Sequence, residues 1–343
     1  MDIKSLNLDE LTEYIVSLGE KKFRAKQIYR WLHIDNVMSY DEMKNIPLAL
    51  RNLLKEKSPL IPLKVEDLQI SKIDGTRKYL FLLHDENMIE AVLMRYKYGN
   101  SICISSEVGC AMGCRFCASG IGGLVRELTA SEMLDQVYAI QNDIGEKVQN
   151  IVIMGTGEPL NNFTNVLKFI KMVSDENGLH ISQRNITVST SGIVPQIERL
   201  KKENLKITLA LSLHATTQER RAYLMPVAGR YDIKEAIDAM RQYEKATKRR
   251  VSFEYSLIKG ENDTDEDAER LTKLLDGILC HVNLIPVNPI KERDFKKPDN
   301  SAVIAFQKKL EKNGINVTIR RELGRDIDGA CGQLRRRHMK GKN

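Results

Sequence analysis

The chain is poor in the features from which membrane spans and extracellular scaffolds are built. No apolar run in its 343 residues approaches the ~18 residues of a membrane span, so no spanning helix is expected. The opening stretch, MDIKSLNLDELTEY, is polar and acidic, which excludes the basic, apolar start of a signal peptide and the acid-poor character of a transit peptide. A cytoplasmic protein is therefore expected. Aromatic residues make up only 6%, with a single Trp, and there are only six cysteines. A strong charge imbalance is also missing: 53 Lys and Arg face 46 Asp and Glu, a net charge of +7. Five of those positive charges lie in the last nine residues, RRRHMKGKN, which hold no acid, so the basic excess is mostly a tail. What remains, 42% hydrophobic and 29% charged with a mean hydropathy of −0.34, is the profile of a globular protein of one large or two ordinary domains.

The few cysteines are unevenly placed. Cys110, Cys114 and Cys117 fall within eight residues, while Cys103, Cys280 and Cys331 stand apart. A disulfide scaffold would be shorter and more evenly spaced, so the cluster points to metal ligation. Thiolates suit zinc or iron–sulfur centres. Structural zinc normally takes four protein ligands, and no His lies near this loop. Three close ligands would leave one iron of a cubane cluster open for a substrate or cofactor. A zinc site completed elsewhere and a loop of unligated cysteines are the alternative readings.

Residues 7–57 read as short helices. SKIDGTRKYLFLL and NMIEAVLMRY then read as two strands joined by a polar turn around His84–Asn87. A boundary near residue 95 separates an accessory domain, 1–95, from a core, 96–330, and a C-terminal segment, 331–343. From residue 100 six strand candidates recur: 102–105, 150–154, 185–189, 207–213, 251–257 and 282–286. Helix candidates alternate with them. Thr129 and Glu132 stand in the capping-box relation, and Ile233, Ala236, Ile237, Met240 and Tyr243 recur with helical period. This α/β alternation predicts a parallel sheet wound by βα units, a partial (β/α)6 barrel.

Polar residues cluster where such a fold does its chemistry, at the C-terminal strand ends. The clustered cysteines follow the first strand and Gly155-Thr156-Gly157-Glu158-Pro159 the second. The third ends in Ser189-Thr190-Ser191-Gly192, the fourth in Ser212-Leu213-His214, and the sixth leads to Asn288.

C-x3-C-x2-C after the first strand, with Phe116 before the third cysteine, resembles the radical S-adenosylmethionine (SAM) signature. FRAKQIYRWL, ICISSEVGCAMGCRFCASG, GTGEPLNN, RNITVSTSG, SLHA, LMP, HVNLIPVNP and DIDGACGQLR are, in this order, similar to the RlmN family of dual-specificity RNA adenine-C2 methyltransferases. The departures are small: Ser119 in CASG where the family usually has CATG, Thr156 where it usually has GMGEP, and Gly329 where Ala is frequent. The resemblance implies a [4Fe-4S] cluster on Cys110, Cys114 and Cys117. It also implies SAM contacts at Gly157, Glu158, Ser189, Ser212, Leu213, His214 and Asn288, and a proton acceptor at Glu90.

It further implies a mechanism that uses two SAM molecules. Adenine C2 is electron-poor and cannot attack SAM directly. Cys331 first takes a methyl group, a 5′-deoxyadenosyl radical from the second SAM abstracts hydrogen from it, and the resulting radical adds to C2. Cys103 resolves the adduct through a transient disulfide with Cys331. Cys280 matches no motif and reads as a buried small hydrophobe. The implied substrates are adenosine 2503 of 23S rRNA and adenosine 37 of some tRNAs. Reduced flavodoxin or ferredoxin is the implied electron donor, and a monomer is expected.

KKFRAKQIYRW (21–31) interleaves five basic residues with Phe23, Tyr29 and Trp31, a composition suited to RNA or to an ordinary amphipathic helix. The RRR tail and Arg320-Arg321 are further RNA candidates, and the tail reads equally as disordered. A flipped adenine would enter the barrel mouth. Two other readings stay open: a C8-methylating relative (Cfr-like), and a non-catalytic iron–sulfur or zinc RNA-binding module.

Overall fold

The computed structural model describes residues 1–289, 294–328 and 332–341. Its centre is one ten-stranded mixed sheet. The strands in chain order are β1 (Lys64–Ile70), β2 (Arg77–Leu82), β3 (Met88–Tyr96), β4 (Gly99–Cys103), β5 (Glu107–Gly109), β6 (Leu124–Glu127), β7 (Asn150–Ile153), β8 (Ile186–Thr190), β9 (Thr208–Ser212), β10 (Val251–Leu257), β11 (Cys280–Pro286) and β12 (Val317–Ile319). The large sheet runs β1-β2-β3-β4-β7-β8-β9-β10-β11-β12, and β5 pairs with β6 alone.

All six predicted core strands form, at β4, β7, β8, β9, β10 and β11, and each pairs in parallel with its neighbour. A short seventh, β12, extends the parallel run beyond β11. Its three residues carry too little apolar pattern to announce a strand. Helices connect successive strands, which gives the expected partial barrel. β10 is buried at every position, as befits a parallel strand covered on both faces.

The anticipated N-terminal strand pair is β2 and β3, joined in antiparallel register from Arg77↔Leu93 to Leu82↔Met88. The chain preceding β2 differs from its sequence reading. Ser71–Gly75 is a turn, closed by the Gly75 N–H donating to the Ser71 carbonyl at 3.1 Å. β1 was not foreseen, because KVEDLQI is half charged or polar and lies at the sheet edge. β3 also pairs antiparallel with β4, from Val92↔Cys103 to Tyr96↔Gly99, so hydrogen bonding runs from the N-terminal strands into the barrel.

The helices Leu8–Ser17, Phe23–His33 and Leu48–Lys57 match the helical reading of residues 7–57. The predicted helix start at Thr129 holds, and the helix read from its period at 233–243 starts with a cap of the same kind. Thr129 caps Ala130–Ile144 in a complete capping box with Glu132, and Asp232 does the same for Ile233–Thr247 with Glu235. The tail contains a helix, Gln333–Gly341, rather than a wholly disordered run. Leu334 anchors it, packed with Leu80 and Met88.

Candidate active site

The cysteine loop follows β5 and is held by backbone bonds at both ends. The Cys110 N–H donates to the Gly123 carbonyl at 3.0 Å, and the Arg115 N–H to the Leu224 carbonyl at 2.9 Å. Gly109 has φ +80°, and a Cβ there would lie 2.0 Å from the Gly123 oxygen, so only glycine lets β5 turn into the loop. Cys114 and Phe116 pack against Leu224, Met225, Ile258 and Val287.

Cys110, Cys114 and Cys117 line one cavity of about 250 Å³. Its wall also includes Gly157, Glu158, Ser189, Ser212, His214 and Asn288, six of the seven residues expected to meet SAM. Leu213 is the exception. It is fully buried in the main core, so it can contribute backbone but not side chain. Among the described residues no three His, Cys, Asp or Glu side chains converge on a single ion position. The thiols instead ring a space. Burial pushes the Cys110 thiol up to about 12 and raises Cys114 further, so unligated thiols here stay protonated, and thiolates need bound metal to form. Soft donors around a cavity, beside polar groups of amino-acid-binding character, fit an iron–sulfur cluster with SAM.

The GTGEP turn is drawn against β5 by a carboxylate the sequence reading overlooked. Glu107 accepts from the Glu158 N–H at 2.8 Å and from the Asn161 side-chain amide at 2.7 Å. A Cβ on Gly157 would strike the Glu107 side chain at 2.6 Å, which explains the glycine, whose φ is +112°. Burial raises the Glu107 carboxyl to about 7, with the hydrogen bonds from Asn161 and Glu158 opposing. Glu158 is buried too. It accepts from the Ser191 N–H at 2.6 Å and the Leu160 N–H at 3.1 Å, which fixes its carboxylate at the cavity wall. Ser189 donates its hydroxyl to the Ile153 carbonyl at 2.9 Å, and Ser191 joins the wall beside it. Thr156, the departure from GMGEP, is buried with its hydroxyl unpartnered.

His214 sits after β9 with φ +54°. Its Nδ1 accepts from the Ser256 N–H at 2.9 Å, its carbonyl accepts from Asn262 at 2.7 Å, and Phe116 meets its ring edge-on at 4.9 Å. It is both a satisfied buried histidine and part of the cavity wall.

Cys103 ends β4 against Val92 and Met94 and lines an adjoining cavity of about 460 Å³. Asn288 belongs to both cavities, and the second also has Lys297, Arg320 and Arg321 on its wall. Cys280 begins β11 opposite Val251, inside the main core as expected.

Glu90 lies on β3, is in neither cavity wall and is only 3% exposed, so it is no solvent-facing strand carboxylate. It forms a buried ion pair with Lys78 at 2.9 Å and accepts from the Gly332 N–H at 2.6 Å and the Arg335 N–H at 2.7 Å. Gly332 in turn presses on the cysteine loop, where a Cβ would lie 2.8 Å from the Ser119 nitrogen. Glu90 thereby ties the start of the C-terminal helix to the residues after Cys117. Cys331, expected as the methyl carrier, and Gly329 lie outside the described residues.

The aromatic residues of 21–31 divide. Phe23 is 52% exposed under the Arg24 guanidinium. Tyr29 is buried and donates to Asp175 at 3.3 Å, and the Trp31 indole donates to Asn45 at 2.6 Å. In this conformation Phe23 is the most exposed ring of the three. Tyr29 is buried and Trp31 half-buried against the core, which helical spacing did not reveal.

Residues 1–60 match the ribosomal RNA large subunit methyltransferase N-terminal domain, and residues 104–274 the radical SAM superfamily. A probable dual-specificity RNA methyltransferase RlmN of Lachnospira eligens is 59% identical over 98% of this chain and 97% of its own length. The protein of that description from Alkaliphilus oremlandii is 53% identical over 99% and 98%. The crystal structure of a radical SAM methyltransferase from Sphaerobacter thermophilus is 43% identical and covers 97% of this chain and 98% of its own, with a TM-score of 0.93. With cysteine loop, barrel and N-terminal domain all matched along nearly the full length, the chain belongs to the RlmN family of radical SAM methyltransferases.

Proposed function

We propose that the protein methylates C2 of adenine in RNA, at adenosine 2503 of 23S rRNA and adenosine 37 of tRNAs, through Cys331 and with two SAM molecules per turnover. The observation that carries this reading is the shared cavity. Three cysteines and six residues from separate strand ends line one space, which meets the Cys103 cavity at Asn288.

Cys110, Cys114 and Cys117 would hold the cluster, and Glu158, Ser189, Ser212, His214 and Asn288 the SAM. When bound, this pair supplies a reducing electron and a 5′-deoxyadenosyl radical. The Glu158 carboxylate, pinned by Ser191 and Leu160 N–H groups, is aimed as a fixed acceptor for an amino group. Neutral His214 adds an apolar edge rather than a competing cation, since burial pulls it down to about 3. Cys103, buried at the barrel mouth, resolves the RNA adduct on Cys331. Glu90 takes the C2 proton, and one of its three donors must yield for it to do so. Arg320, Arg321 and Lys297 line the Cys103 cavity with positive charge, which suits a phosphate-bearing substrate. A cytoplasmic monomer reduced by flavodoxin or ferredoxin completes the proposal.

The test is an anaerobic, reduced assay with SAM and either rRNA or tRNA, read by mass spectrometry. The expected products are 5′-deoxyadenosine and 2-methyladenosine in both RNAs, with none from Cys331→Ala. A methyl group on C8 would mark a Cfr-like enzyme. Absence of 5′-deoxyadenosine would leave an RNA-binding iron–sulfur module.

A further inference from the structure

Arg221 is the largest side chain that the fold buries completely. It lies on the helix Gln218–Leu224, whose last residue holds the cysteine loop through the Arg115 N–H. Its Nη2 donates to the Ser191 carbonyl at 2.6 Å and to the Ser212 carbonyl at 3.3 Å, at the ends of β8 and β9. Its Nε and Nη1 are buried without a hydrogen-bond partner, and none of its nitrogens bonds a carboxylate.

This arrangement is costly unless something else is meant to meet it. A guanidinium removed from water requires both opposite charge and full use of its donors, and this one has neither. Two carbonyls fix the plane of the fork but leave the charge uncompensated. A role confined to tying β8 to β9 would need only a neutral donor. Ser191 and Ser212, whose carbonyls hold the fork, both line the cavity ringed by Cys110, Cys114 and Cys117. Two idle donors and an unpaired positive charge therefore sit beside two residues of the wall that the thiols share.

We propose that Arg221 is the buried counter-cation of the iron–sulfur centre, its fork fixed by Ser191 and Ser212 and its two remaining N–H groups available to cluster sulfur. The inference rests on the reading of Cys110, Cys114 and Cys117 as cluster ligands. Net charge and hydrogen bonds to sulfur set the reduction potential of such centres. A buried cation favours the reduced, more negative state, so Arg221 is a positioning and potential-setting residue rather than a group that enters the reaction.

The experiment reconstitutes the full chain with iron and sulfide under anaerobic conditions and titrates the cluster by electron paramagnetic resonance, first without SAM. Arg221→Met and Arg221→Gln should disfavour the reduced state about tenfold, a midpoint ~59 mV more negative for one electron. Arg221→Lys, which keeps the charge, should titrate with the wild type. Unchanged midpoints in both neutral variants overturn the proposal. So does a shift seen only once SAM is added, which would place the guanidinium on the SAM carboxylate. If both neutral variants lose the cluster while Arg221→Lys keeps it, charge is required; if all three lose it, Arg221 serves packing and the proposal fails. A wild-type chain that binds no cluster would instead refute the ligand reading itself.

Discussion

His33 and His214 are both held neutral by burial, each pulled down to about 3, yet they serve different ends. His33 meets Tyr29 at a tilt with ring centres 4.3 Å apart, shares a 2.8 Å hydrogen bond with Tyr138, and is not part of the cavity wall. Its folded value lies below the unfolded 6.5, so the unfolded chain binds more protons between the two. The stability His33 contributes is present above pH ~6.5 and is lost as pH falls. From pH 7 to 5 the loss is about 2 kcal/mol by linkage. His33→Gln should therefore flatten the pH dependence of urea unfolding by about that amount over this interval. An unchanged difference between the two pH values would refute the assignment. The cysteine cluster was legible because its spacing is local. Glu107 and Arg221 were not, because their significance comes from partners 51 and 30 residues away in sequence.

The elements announced themselves where signals were local and strong. Thr129 and Asp232 accept from the backbone of their own first turns, and their Glu partners return the bond. Thr129→Ala and Asp232→Ala should each cost about 1 kcal/mol. The urea midpoint should fall at unchanged m-value, which distinguishes a lost cap from a changed unfolded state. A larger loss for Thr129 is not expected from the cap alone, although its hydroxyl also meets Ser131 at 2.9 Å. β1, β5, β6 and β12 escaped notice because three of them are four residues or shorter and β1 is largely polar. Short edge strands are defined by the neighbour they pair with rather than by an apolar pattern of their own.

At the scale of the molecule, hydrogen bonding passes without a break from β1 through β4 into the barrel strands. The N-terminal helices are fastened to this body by the buried Lys4–Asp135 ion pair and by the His33–Tyr138 contact. The only Trp, Trp31, lies in that helical region. Urea unfolding of the cluster-free chain followed by Trp31 fluorescence should therefore coincide with the transition seen by far-ultraviolet circular dichroism. An earlier fluorescence transition would show that the N-terminal region melts on its own. The Gln333–Gly341 helix is bound into the same unit, since Glu90 holds its first turn and Arg337 meets Asp328 at 2.9 Å.

By itself the sequence determined the cysteine loop, the order of strands and helices, and the family. Each depends on spacing along a few neighbouring residues or on the linear order of motifs. Only the tertiary structure decided which of these residues share a wall, that Leu213 turns into the core, that Tyr29 is buried and Trp31 half-buried, and that Glu90 grips the C-terminal helix beside the cysteine loop. Those outcomes depend on burial and long-range pairing. Both are set by how the sheet brings distant strand ends together, which no local pattern encodes.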